Sequence, residues 1–190
     1  MSQNSVIERI KAELAAFEEK KQAFIAELRN EFPSMFTELF AQAPKLKSVS
    51  WNQYTPYFND GDSCEFSAHT NDLYINGSNS SYDDDDEDGD EDAISVNPCI
   101  YITLRTEEDI RINKELCEKT GRSWYANASI GKDGLAPNPK YDADADRVSS
   151  EISEVLSSIP DDFLLELFGD HSKVTIFANG TIEVDDYDHD

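Results

Sequence analysis

From Ile7 the apolar residues run Ile7, Ile10, Leu14, Phe17, Phe24 and Leu28 in alternating steps of three and four, with Lys21 as the one break in the series. Only an α-helix brings such positions onto one face, and a seam of about three heptads has the spacing of a coiled coil. Glu8, Arg9, Lys11, Glu13, Glu18, Glu19, Lys20 and Glu27 occupy the other faces, and Ala12, Ala15, Ala16, Ala23 and Ala26 favour the helix. The pattern predicts a helix of about 25 residues ending near Pro33, because the residue before a proline avoids the α region. Ser34 is then placed to cap a second, shorter helix with Phe36, Leu39 and Phe40 inward, closed by Pro44. The stripe has two possible uses, packing on its own domain or self-association as a homodimer. Lys21 at a seam position suits a short coiled coil whose register it helps to set.

Beyond this segment, residues 1–44, the chain reads as an α+β domain over 45–190. Lys45 to Trp51 alternates toward a strand with Val49 and Trp51 on one face, and Pro56 limits its length or puts it on an edge. The stretch from Trp51 to Phe66, WNQYTPYFNDGDSCEF, reads as a hairpin-like corner built on the turn residues Asn59, Asp60, Gly61 and Asp62. Two short strands follow at Glu65 to His69 and at Leu73 to Ile75. Cys99 to Leu104 is a compact apolar run, expected as a buried strand. Thr106 caps a helix whose first turn, Glu107, Glu108 and Asp109, faces the positive end of the helix dipole, and Gly121 ends it. Trp124, Ala126, Ala128 and Ile130 alternate as a strand, and Gly134 to Lys140 is a connector. Asp142, Asp144 and Asp146 lead a helix with Val148, Ile152, Val155, Leu156 and Ile159 inward. Pro160 opens another, with Phe163, Leu164, Leu167 and Phe168 inward. Asn179-Gly180 signals a two-residue hairpin turn, pairing Phe177 with Ile182 and Thr175 with Val184. The expected architecture is a long N-terminal helix, a small and mostly antiparallel sheet, C-terminal helices and a β-hairpin.

Charge is uneven. The chain of 190 residues carries 40 acids against 16 bases, a net charge of -24, and its mean hydropathy is -0.60. Residues 1–47 (7 acids, 7 bases) and 93–140 (6 and 7) are balanced, whereas 83–92 hold 9 acids and 141–190 hold 14 against Arg147 and Lys173. Such a field repels nucleic acid and anionic membrane and attracts basic partners, at rates that fall with salt. The segment 77–95, centred on YDDDDEDGDED, is low in complexity and is expected to be a disordered loop. No run approaches a membrane span, and Met1 to Asn4 leads into a charged helix, so a cytoplasmic chain is expected.

Motifs for chemistry are weak. Asp60, Asp62, Asp72 and His69 could converge on a metal, the basis for a metal-dependent hydrolase using Asp60, Asp62 and His69. Asp84, Asp86, Asp88, Gly89 and Asp90 follow part of a calcium-loop pattern, but Ser95 stands where a bidentate Glu is needed. Gly131-Lys132 lacks the earlier glycine and the following hydroxyl of a phosphate loop. Cys64, Cys99 and Cys117 form neither a disulfide framework nor a zinc set. No cofactor and no enzymatic activity are expected.

The block at 51–66 together with the ending EVDDYDHD at 183–190 resembles a group of uncharacterised proteins of tailed bacteriophages. The resemblance implies a phage accessory protein in the host cytoplasm, a class in which small acidic chains bind and block host proteins. Duplex DNA carries a negative charge about every 1.7 Å of axis. Carboxylates of Asp142, Asp144, Asp146, Glu151, Glu154, Asp161, Asp162, Glu183, Asp185, Asp186 and Asp188 are the candidates to imitate part of that array. They would face the basic nucleic-acid site of a host defence or transcription protein. The alternative is a self-associating adaptor that uses Ile7, Ile10, Leu14, Phe17, Phe24 and Leu28.

Overall fold

A computed structural model describes residues 3–58, 61, 63–79 and 94–188, and it is α+β. The first helix, α1, runs Gln3–Phe40 without interruption. At 1.5 Å per residue its 38 residues span about 57 Å. The break expected at Pro33 does not occur. A proline inside a helix removes one hydrogen bond and crowds the preceding turn, a cost of about 3 kcal/mol. Phe32 and Phe36, fully buried on either side of it, hold the two turns to one core and offset that cost. Ser34 is not a cap; its hydroxyl donates back to the Glu31 carbonyl at 2.7 Å.

The sheet is built on β1, Ser48–Tyr54. Beside it lie β2 (Ser67–Ala68), β3 (Tyr74–Ile75) and β4 (Ser78–Asn79), and later the hairpin of β7 (Ser172–Phe177) and β8 (Ile182–Asp186). The order is β4-β3-β1-β7-β8 with β2 paired to the far end of β1, and every pairing is antiparallel. Thus β1 is central, not an edge; Pro56 limits only its length. The corner read at 51–66 holds, since Gln53 and Tyr54 pair with Ala68 and Ser67. Asn59, Asp60 and Asp62 of its turn lie outside the described residues, as do residues 80–93, including the acid run and the partial calcium loop. The ends of the 77–95 segment are structured: Ser78–Asn79 forms β4, and Ser95 bridges to Tyr141.

One face of the sheet presents Val49, Trp51 and Gln53 from β1 beside Ile176, Val174 and Ser172 of β7. The C-terminal half of α1 packs into the same core, with α3 (Ala143–Ser157) and α4 (Asp161–Phe168). Phe168 anchors the centre, edge-on to Trp51 at 5.7 Å and to Phe32 at 5.2 Å. Buried Gln53 donates to the carbonyls of Leu164 (3.2 Å) and Gly169 (2.6 Å) and accepts from the Trp51 indole at 3.1 Å, which ties the end of α4 to the sheet.

A smaller layer joins β5 (Cys99–Thr103), α2 (Glu107–Thr120) and β6 (Asp133–Pro137). The Thr106 cap and the Gly121 end of α2 are as read from sequence, and Asp109 completes a capping box. Three expectations fail here. The run Cys99–Thr103 is half exposed, because among the described residues it pairs only with β6, in a two-stranded sheet. Residues 123–125 form a 3-10 turn, not a strand, and Trp124 is exposed. The supposed connector after Gly134 is strand β6. Buried Asn113 explains it: its Oδ1 accepts the Leu135 N–H at 2.8 Å and its amide donates to the Tyr125 carbonyl at 2.7 Å. Gly134 is required there, since a Cβ would lie 2.7 Å from Leu104 Cδ2.

The C-terminal hairpin also differs by one residue. Ile176 faces Ile182, Thr175 faces Glu183 and Val174 faces Val184. The Phe177 N–H donates to Thr181 O and the Gly180 N–H to Phe177 O, both at 2.9 Å, so the loop has three residues. Gly180, at φ +80°, supplies the left-handed position that such a loop needs. Val174, Ile176, Ile182 and Val184 therefore share a face, with Glu183 and Asp185 on the other.

Candidate interaction surface

The two halves of α1 have opposite surroundings. Ile25, Phe32, Phe36 and Phe40 are buried, and Leu28 packs at the edge of the core. From Val6 to Phe24 the same face is bare: Ile7 is 48% exposed, Ile10 49%, Leu14 63%, Phe17 67% and Phe24 51%. Of the six residues read as a self-association seam, five are thus about half exposed or more, Phe24 with one edge against α4, and Leu28 packs on the body.

The boundary is built by α4. Lys21 pairs with Glu166, each side chain about a third exposed (34% and 35%). The hydrogen bond from Lys21 holds the Glu166 carboxyl below its ordinary range, and the same bond raises the Lys21 ammonium. Phe24 meets Phe163 edge-on at 6.4 Å. Arg29 donates to the carbonyls of Leu167 (2.9 Å) and Glu166 (2.7 Å), satisfying acceptors in the last turn of α4. Lys21 is therefore engaged with its own chain as well as lying on the seam line.

The candidate carboxylates divide into two groups. Asp142 is the N-cap of α3: its Oδ1 accepts from the Ala145 N–H at 3.0 Å and its other oxygen pairs with Lys45 at 3.1 Å. The Ala145 bond, more than Lys45, lowers its pKa. Asp146 accepts from the Tyr141 hydroxyl at 2.8 Å, and Glu151 pairs with Arg147 at 2.8 Å. These three serve the fold. Asp144, Glu154, Asp161, Asp162, Glu183, Asp185, Asp186 and Asp188 are exposed and make no ion pair with a described residue. Ordinary structural chemistry accounts for many of them. Asp144, Asp161 and Asp162 sit in first helical turns, and Glu183, Asp185 and Asp186 guard an edge strand against pairing.

For the hydrolase reading, Asp60 and Asp62 lie outside the described residues. His69 stacks on Tyr54 at 4.7 Å, and Asp72 is exposed in a turn. Among the described residues no three His, Cys, Asp or Glu side chains come together as a metal site. Two features went unread in the sequence. A trough of about 600 Å³ lies between β3 and α3, lined by Ser149, Ser150, Ser153 and Ser157 with Asp146 and Glu154 at its sides. Spacing of serines along 149–157 was its only signal. The second is an aromatic group in the small layer, exposed Tyr101 and Trp124 on half-buried Tyr125, with the Arg122 guanidinium 5.8 Å from the Tyr101 ring. Among the described residues no helix is long and apolar enough to cross a membrane.

The fold and these surfaces define an acidic α+β protein with a projecting helical arm. Comparison with protein families, with curated proteins and with solved structures finds no match.

Proposed function

We propose that this chain is a protein-binding adaptor that assembles through the N-terminal half of α1. The observation that carries the reading is the bare stripe of Ile7, Ile10, Leu14, Phe17 and Phe24. Isolated surface hydrophobes are ordinary, but a continuous periodic row is the mark of an interface. Fully burying side chains of this size is worth about 1.5–3 kcal/mol each relative to exposure. Two such rows, already about half out of water, still gain several kcal/mol on meeting. Sedimentation of the unmodified chain tests this directly: it should associate at micromolar concentration, and Leu14→Glu with Phe17→Glu should return a monomer with unchanged near-ultraviolet circular dichroism. A unmodified chain that stays monomeric at about 100 µM, a concentration where a contact worth more than about 5.5 kcal/mol is populated, would sink the reading.

A second reading rests on a different observation, the eight exposed carboxylates that make no ion pair with a described residue, in a region whose bases are Arg147 and Lys173. On this reading the body binds and blocks a basic host protein, in keeping with the resemblance to phage accessory proteins, with the carboxylates standing in for nucleic-acid phosphates. Capture of a nucleic-acid-binding protein from host lysate should fall as salt rises, and should be lost when Glu183, Asp185, Asp186 and Asp188 become amides. Capture that ignores both changes would exclude it.

A further inference from the structure

We infer that the arm pairs with a second copy of itself in antiparallel orientation, centred between Ala15 and Ala16. The inference rests on the assembly reading and adds to it the partner, the direction and the register. With Ile7, Leu14, Lys21 and Leu28 as one set of seam positions and Ile10, Phe17 and Phe24 as the other, four charges flank the bare part. Lys11 and Glu18 lie along one side of the seam, and Glu13 and Lys20 along the other. In coiled coils these flanking charges decide orientation.

A parallel, in-register pair suits this arm badly. It sets Glu13 against Glu18 of the second copy, twice by symmetry, and it stacks Lys21 on Lys21 in the seam. It also brings both bodies to the same end of the pair, where α4 already lies against α1 at Lys21, Phe24 and Arg29. The antiparallel pair removes each conflict. Ile7 meets Phe24 of the second copy, Leu14 meets Phe17, and Ile10 meets Lys21, whose ammonium stays turned to Glu166. Along the flanks Glu13 then faces Lys20 and Lys11 faces Glu18, each occurring twice, so all four flanking contacts join opposite charges.

The existing partners of these flanking charges give way easily. Lys11 is 3.4 Å from Glu8 and Arg9 is 3.7 Å from Glu13, both pairs more than two-thirds exposed (68% to 75%). Exposed intrahelical pairs of this kind are worth a few tenths of a kcal/mol. The overlap of residues 7–24 covers about 27 Å of helix and ends where the body begins, because Ile25 is buried. The length of the bare stripe is thus the length of the overlap. Each copy's first turn comes to rest beside Phe24 and Phe163 of the other.

Disulfide trapping tests the register on the whole chain carrying Cys64→Ser, since Cys64 is exposed while Cys99 and Cys117 are buried. Ile7→Cys mixed with Phe24→Cys should cross-link under mild oxidation, and neither should cross-link to itself. A charge reversal gives a second readout without touching the seam. Glu13→Lys should weaken the dimer by about tenfold, from two lost attractions and two new repulsions, and adding Lys20→Glu should restore it. In a parallel pair Glu13→Lys would instead tighten association, by relieving the clash with Glu18. Self-cross-linking of Ile7→Cys, or tightening by Glu13→Lys, overturns the antiparallel pairing while leaving assembly intact. Sedimentation of the Cys64→Ser chain as a monomer at every concentration overturns assembly itself, and the pairing with it.

Discussion

Phe17 and Phe32 belong to one helix and to one apolar row, yet the first is 67% exposed and the second has no exposed surface. The difference lies in what stands opposite. Beyond Ile25 the row meets α4, α3 and the inner face of β1; before it α4 touches only Lys21 and Phe24, and from Val6 to Phe17 no described element covers the row. Lys21 and Arg29 mark the frontier, since both tie α1 to the last turns of α4. An amphipathic period therefore states that a helix will bury one face. It does not state whether the covering surface comes from the same molecule.

Substitutions on the two sides of that frontier should separate cleanly. Phe32→Ala or Phe36→Ala removes a fully buried ring from the centre of the core and should cost about 3–5 kcal/mol in urea denaturation. Phe17→Ala should leave the body's stability within about 0.5 kcal/mol at a concentration where the chain is monomeric. Equal losses at both positions would break the comparison. Pro33→Ala comes next. It restores the hydrogen bond to the Arg29 carbonyl and relieves the crowding, less a small gain in unfolded-chain freedom, so denaturation should show about 1–2 kcal/mol of added stability. Loss of stability there would mean that α1 needs its proline.

Arg29→Ala should cost about 1 kcal/mol, because two carbonyls at the end of α4 lose an exposed donor to which water is a partial substitute. The smallest effect belongs to Lys21 and Glu166. Glu166 is held below its ordinary value of 4.5, so its contribution is present above that value and is lost as pH falls through the lowered one. Lys21 is held above 10.5, so its share is present below that value and is lost as pH rises through the raised one. Between these limits hydrogen exchange of α1 near Lys21 should be insensitive to pH once the intrinsic rate is removed. Acidification through that lowered Glu166 value should speed it, and Glu166→Gln should abolish that dependence.

The elements legible from residues alone are those fixed by contacts a few residues long. The cap at Thr106, the end of α2 at Gly121 and the acidic opening of α3 at Asp142, Asp144 and Asp146 all depend on interactions within one turn. The row from Ile7 to Leu28 was readable for the same reason, and so was the greater part of the candidate surface. What escaped depends on distant partners. Strand β6 exists because Asn113, more than twenty residues earlier, takes up the Leu135 N–H. The hairpin register moved by one because Ala178 donates to the Lys47 carbonyl at 2.8 Å, which commits that residue to the end of β1 and lengthens the loop. The serine trough could not be read, since its other wall comes from β3 and Asn71.

Charge, helical period and turn chemistry were thus determined by sequence, since each is a property of neighbours along the chain. The continuity of α1 through Pro33, the central place of β1 and the exposure of the arm were decided by tertiary structure. Each turns on whether burial against a remote element outweighs a local preference: two phenylalanines outweigh the proline at 33, and from Val6 to Phe17 no such element is present among the described residues.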